Sequence, residues 1–338
     1  MMNKIFLALA ILISSLGVLG LTSSAPTIVI HAETDSAQNE GWVTDSKGKT
    51  YVKSDGTKYS NEFVVIDNDT YYFLEDGYVA TGWTKINGYS YFFMTQGNIG
   101  KMQKGFINLN GYLFYLGTDG RMRTGWQKID GNWYYFWQSG SAATGWVKID
   151  GSTYFFITSG SRIGQMCTGW MMLNGQKFYL GTDGQMRTGW NKIDGKWYYF
   201  WQSGPAATGW TKIDGNSYFF LTSGNIGEMM TGWMKLNGQT YYLGTDGSMR
   251  TGWKIIDNKQ YYFWSSGAMA LGWCTIQNDT YFFSEASAQY GQMMTGWLYL
   301  NGNTYYLGED GAMRRGLVYT DRPGCGHYLN SVDKKYYH

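Results

Sequence analysis

Proline and cysteine are almost missing from this 338-residue chain, at 3 residues each, and histidine is as scarce at 3. The cysteines (Cys167, Cys274 and Cys325) stand far apart, with neither metal-ligand nor disulfide-framework spacing. An odd count in an exported protein leaves at least one free thiol. Cys167 and Cys274 fall at variable positions of a repeat, which marks them as small half-buried side chains. His31 lies near the start, His327 and His338 near the end, and no histidine falls between Gly41 and Arg315. The commonest general base is thus absent from most of the chain. Cys325 with His327 is too small a set to hold a metal. Charge of one sign is lacking too: a formal net charge of +2 creates no field for a polyanion, so nucleic acid is not an expected partner.

Long apolar runs are confined to the N-terminus. Lys4 supplies a positive start, Ile5 to Leu21 is mostly apolar, and Ile30-His31-Ala32 offers a small-residue cleavage site before Glu33. The run is short for a membrane span and leads into Ser-rich sequence, so it reads as a signal peptide over residues 1–32 rather than an anchor. The expectation is a secreted protein with no membrane span after cleavage, resident at the cell wall or cell surface. Residues 33–40 read as a flexible lead-in.

What the chain has in excess is glycine, with 47 residues, and aromatics, at 18%. Aromatics suit a pleated surface and glycine supplies positive φ, so short strands and tight turns are favoured. Thr-Gly-Trp or a close variant places an aromatic at Trp42, Phe63, Trp83, Phe106, Trp126, Trp146, Trp170, Trp190, Trp210, Trp233, Trp253, Trp273 and Trp297. Neighbours lie 20 to 24 residues apart, and a longer period shows as Trp83 to Trp146 (63), Trp146 to Trp210 (64) and Trp210 to Trp273 (63). Three kinds of unit recur in fixed order.

The unit Trp126-Gln-Lys-Ile-Asp130-Gly131-Asn-Trp133-Tyr134-Tyr135-Phe136 shows the local physics. Asp-Gly between apolar and aromatic runs is the strongest short hairpin signal, because a type I′ turn needs positive φ at both central positions. Asn-Gly or Asp-Gly recurs at residues 87, 110, 150, 174, 194, 214, 237 and 301, with weaker forms at Asp67-Asn68, Asp257-Asn258 and Gln277-Asn278, giving twelve hairpins between Trp42 and Leu307. A two-residue turn sets the register. Ile129 then faces Asn132, Lys128 faces Trp133, Gln127 faces Tyr134 and Trp126 faces Tyr135. One face carries Trp126, Lys128, Trp133 and Tyr135; the other carries Gln127, Ile129, Tyr134 and Phe136. A lone hairpin is marginal in water, so both faces need neighbours, and stacking supplies them. The expected fold is an all-β solenoid of tandem two-stranded hairpins over residues 41–316. Residues 317–338, with a turn at Arg322-Pro323-Gly324-Cys325-Gly326, read as a cap. Methionine precedes most aromatics by four residues (Met102, Met122, Met166, Met186, Met229, Met249, Met293 and Met313), with Ala142 and Ala206 in the Trp-rich units. Its first reading is filler between hairpins and its second is the wall of a ligand pocket.

The pattern of Thr-Gly-Trp, a Lys-containing strand, Asp/Asn-Gly, Trp-Tyr-Tyr, a Gly-containing loop and Met or Ala before the next Thr-Gly-Trp resembles the choline-binding or cell-wall-binding repeat family. The units 124–143 and 188–207 match position by position. Related repeats occur in glucan-binding regions of secreted glucosyltransferases and in receptor-binding ends of toxins. The resemblance implies a cage of aromatic rings for a cation, shared by two consecutive repeats, with the Thr-Gly-Trp tryptophan and the first residue of Trp-Tyr-Tyr as walls. Trp126 with Trp133 and Trp190 with Trp197 offer both; elsewhere the second position is Thr, Ser, Leu, Lys or Gln. Tyr135 and Tyr199 share that face, Trp253 heads the corresponding third unit, and Trp137, Trp201 and Trp264 follow the second strand once per super-repeat. These ten residues are the candidate ligand contacts.

The partner implied is choline-bearing teichoic acid or another wall saccharide, with a glucan- or host-glycan-binding adhesin as the alternative. No cofactor is expected. The acidic residues are mostly turn aspartates such as Asp130 and Asp194, and no segment outside the repeats is long enough for a catalytic domain, so an enzyme, such as a wall hydrolase, is not expected.

Overall fold

In the computed structural model, which describes residues 40–319, 326–329 and 336–337, the turn pairs adopt the left-handed geometry their residues favour: Asp130 has φ 48° and Gly131 φ 81°. The weaker pairs do the same, with Asp67 at 52° and Asn68 at 68°, and Gln277 at 50° and Asn278 at 78°. The register follows: Ile129 faces Asn132, Lys128 faces Trp133, Gln127 faces Tyr134 and Trp126 faces Tyr135. The described residues form thirteen two-stranded antiparallel hairpins, one more than the two-residue turns signal. The additional one is the first, Gly41–Thr44 with Lys49–Val52, which closes through a four-residue turn instead. The only helical element among the described residues is a 3₁₀ turn at Ser287–Gln289. Gly125 explains the Thr-Gly-Trp motif: the residue entering the first strand sits at φ 69°, where a side chain would be strained.

The chain divides into two compact units, one over residues 40–86 and 92–102, the other over 87–91 and from 103 onward. In the second unit the hairpins stack in chain order. The face of one carrying Trp126 and Tyr135 packs onto Ile149, Tyr154 and Phe156 of the next, and its opposite face (Ile129, Tyr134, Phe136) packs onto Tyr115 of the one before. The last residue of the second strand is the most deeply buried position; Phe136, Phe156, Phe200, Phe220, Phe263 and Phe283 are all but sealed from solvent, as are Leu116, Leu180, Leu243 and Leu307.

A single backbone hydrogen bond clasps each hairpin to the loop of the next. The Met166 N–H donates to the Trp133 carbonyl at 2.8 Å, the Met229 N–H to Trp197 at 2.8 Å, and the Ala206 N–H to Lys177 at 2.7 Å. The first unit has the same clasp, from the Met102 N–H to Thr70 at 2.7 Å and from the Val79 N–H to Lys49 at 2.9 Å. The Met side chain fills the gap beyond: Gly140 sits at φ 86°, where a side chain is strained, and a Cβ there would also overlap the Met122 sulfur, so this loop position favours glycine. Met269 occupies the same place and was not in the methionine series read from the sequence.

The segment assigned as leader, the lead-in to residue 39, and Cys325 lie outside the described residues. In the C-terminal segment the described backbone forms a three-stranded antiparallel sheet (Gly316–Tyr319, Gly326–Leu329 and Tyr336–Tyr337). Among the described residues no helix is long and apolar enough to cross a membrane. Cys167 and Cys274 are free and half-buried, and burial pushes both thiols up.

Because stability in such a stack is close to a sum over neighbours, a core truncation acts locally and strongly. Phe220→Ala should cost about 3–5 kcal/mol in urea unfolding, whereas Ile255→Ala, at a position 76% exposed, should change it by less than about 0.5 kcal/mol.

Candidate functional site

Face-to-face stacking leaves one row of aromatics incompletely covered. Trp126 lies in the first strand of its hairpin and Trp133 one residue into the second; their ring centres are 6.2 Å apart with planes at 88°. Tyr154 of the next hairpin stands 4.9 Å from Trp126 at 66°. With Met166 from the following loop, and Thr182 and Asp183 from the loop after that, these rings line an open cavity of about 400 Å³. The arrangement repeats almost unchanged one super-repeat later. Trp190 and Trp197 are 6.3 Å apart at 87°, Tyr218 lies 4.9 Å from Trp190, and Met229, Thr245 and Asp246 complete a cavity of about 410 Å³. Each cavity is therefore built by three successive hairpins.

The walls supply three aromatic rings, a polarisable thioether and one acidic edge. Asp183 accepts from Arg187 Nη2 at 3.0 Å and from the Gln185 backbone N–H at 3.0 Å; Asp246 is held in the same way by Arg250 and Ser248. Partial burial works to raise both carboxyls, but these hydrogen bonds and the guanidinium charge outweigh it and hold them below the ordinary carboxylate range. The rings pair edge-to-face rather than in parallel stacks, and a small organic cation would be stabilised wherever it met one of their faces. Among the described residues no group of three or more His, Cys, Asp or Glu side chains is placed to hold a metal.

The ten residues singled out from the sequence do not all converge. Trp126, Trp133, Trp190 and Trp197 converge as cavity walls. Tyr135 and Tyr199 instead support Trp126 and Trp190 from behind, at 5.2 and 5.3 Å, with their faces packed into the stack. Trp137, Trp201 and Trp264 lean edge-on against Tyr135, Tyr199 and Tyr262, and are 40%, 42% and 37% exposed. Trp253 packs on Tyr281 and Phe283, with Gln260 where the other two units have a second tryptophan. Sequence reasoning missed the walls that come from other hairpins: Tyr154 and Tyr218, Asp183 and Asp246. The signal for the tyrosines was the stack itself, because the face opposite Trp126 in hairpin order is that of the next unit. A third cavity, of about 340 Å³, repeats the layout with Trp233, Thr240, Tyr261 and Met269, and Lys259 and Gln289 make it more polar.

Tandem two-stranded hairpins, with aromatic-lined cavities left open where they stack, define a β-hairpin repeat protein. The chain belongs to the choline-binding repeat family: that repeat matches in eight stretches that together run from residue 103 to 316, and a cell wall binding repeat matches residues 61–79. Several solved structures are similar. CbpJ from Streptococcus pneumoniae is 27% identical, with 82% of this chain and 99% of that one covered and a TM-score of 0.37. Choline binding protein F from the same organism is 28% identical, with 83% and 100% covered and a TM-score of 0.35. The autolysin LytC from Streptococcus pneumoniae is 28% identical, with 68% and 52% covered and a TM-score of 0.44. No curated protein matches.

Since Asp183 and Asp246 stay ionised below the usual carboxylate range, a lowered pKa leaves the acidic edge intact as pH falls toward that range. Tetramethylammonium affinity, followed by tryptophan fluorescence, should be the same at pH 7 and pH 5. It should weaken roughly two- to fivefold in a chain carrying Asp183→Asn and Asp246→Asn.

Proposed function

We propose that this protein is a secreted, non-catalytic attachment module that binds choline on cell-wall polymer through the Trp126–Trp133–Tyr154 and Trp190–Trp197–Tyr218 cages. The observation that carries the reading is the recurrence of the same three-ring cage, to within 0.1 Å between tryptophan centres, in the two hairpins that alone bear both tryptophans. A quaternary ammonium has no N–H to donate and sheds water readily, so it gains from ring faces where a sugar hydroxyl would not. Each ring face is worth about 0.5–2 kcal/mol, which makes each site weak on its own. Two cages on one chain act together on a polymer carrying many choline groups, where linked sites gain about 10²–10⁴-fold. Membership in the choline-binding repeat family supports the ligand, and the apolar leader supports export to the surface.

A second reading rests on Trp137, Trp201 and Trp264, whose exposed rings lie outside the cages. Flat exposed rings suit sugar faces, so these three support contact with wall or extracellular saccharide beside the choline groups.

Choline titration of the chain from Glu33 to His338, followed by tryptophan fluorescence and calorimetry, should saturate at two sites. Trp133→Ala with Trp197→Ala should remove that response and the binding to choline-bearing walls. No response up to high millimolar choline would discard the cages as choline sites and leave a saccharide as the ligand, to be identified on a glycan array.

A further inference from the structure

Between the two open cages the same architecture occurs with its centre filled. In the hairpin Gly169–Leu173 with Gln176–Leu180, Lys177 stands where Trp133 and Trp197 stand in theirs: it is two residues before the tyrosine that faces the first-strand tryptophan. Its carbonyl accepts the clasp from the next loop, as theirs do. Its side chain turns over the cage. Lys177 Nζ lies 3.9 Å from the ring centre of Trp170 and 5.3 Å from that of Tyr198 in the next hairpin, and donates at 2.9 Å to the Ile226 carbonyl, in the loop that follows the hairpin after that one. Trp170 and Tyr198 are themselves 4.7 Å apart, close to the 4.9 Å of Trp126 and Tyr154. An ammonium thus sits against two ring faces and a loop oxygen, contributed by three successive hairpins.

The first unit contains a second case. Lys49 holds the equivalent register position, accepts the clasp from Val79, and places Nζ 3.8 Å from Trp42 and 5.4 Å from Tyr71. The recurrence of both distances in separate parts of the chain argues against an incidental surface contact. Burial lowers the pKa of both lysines, in keeping with ammonium groups withdrawn from water.

We propose that Lys177 and Lys49 are built-in occupants of cation cages: each closes its cage to outside ligand, and the residue at this one position determines how many sites the chain offers. A cation tethered by its own side chain competes at an effective concentration of at least about millimolar, without the loss of translational freedom a free ligand suffers. A second cation entering beside it would also meet like charge at a few ångströms. This rests on the cation-cage reading of the proposed function, and the experiment separates the two.

In a Trp133→Ala, Trp197→Ala background, which disables the open cages, n-butylammonium should not raise the melting temperature. Adding Lys177→Ala should lower that temperature and restore it in a dose-dependent way with n-butylammonium, which supplies the missing ammonium and stem. In parallel, the Lys177 ε-methylene NMR signal of the otherwise unaltered chain should be shifted upfield by the rings and return to the position of exposed Lys235 in Trp170→Ala. A Lys177 signal already at the Lys235 position would overturn the proposal. So would a butylammonium response that is equal with and without Lys177, or absent in Lys177→Ala. Failure of choline to bind the unaltered chain, with the lysine results as expected, would remove the proposed function and leave this inference standing.

Discussion

A two-stranded hairpin of five-residue strands has two faces and no interior, and every other feature of this protein follows from that constraint. Phe136 can be sealed from water only because neighbouring hairpins cover it. Aromatic side chains suit the task because each removes a large apolar area while occupying few positions of a short strand. The same sharing decides where a ligand can sit. A hairpin has too little depth to surround a cation, so any cage must borrow a tyrosine from the next unit and a loop from the one beyond.

The backbone clasp separates folding from recognition. Its acceptor is a main-chain carbonyl, so the bond to the next loop forms whether the residue is Trp133, Lys177, Thr240 or Gln260. The side chain at that position points to the partly covered row, where Trp133 and Trp197 are 42% exposed. Tryptophan there builds a wall, lysine fills the cage, and threonine leaves a more polar hollow beside Trp233. The repeat can therefore vary its binding chemistry at one position without altering how hairpins join.

Much of the fold was legible because its determinants are local. Asp130-Gly131 specifies a turn, the turn specifies the register, and period-2 alternation then places Ile129, Tyr134 and Phe136 on one face. The first hairpin escaped the turn count because Asp45–Gly48 carries no two-residue turn signal. The site was half legible. Trp126 with Trp133 stands out within one unit, but Tyr154 and Asp183 are ordinary members of later units and acquire a role only through stacking order. Tyr135 shares a face with Trp126 and Trp133, yet its ring packs on the next hairpin while that of Trp133 is left open, a difference that period-2 alternation alone does not specify.

Each cage also has a history along the chain. Trp126 and Asp183, walls of one cavity, are 57 residues apart, with two complete hairpins between their strands and loop. All pairing within a hairpin is short-range and forms quickly once its turn is available. As the chain emerges residue by residue from synthesis, hairpins can therefore close and dock one after another, but a cage stays unfinished until the second hairpin after its tryptophans has arrived. Completion of a cage trails the closing of its own hairpin by nearly one super-repeat, so the newest cages of a growing chain are always open-sided.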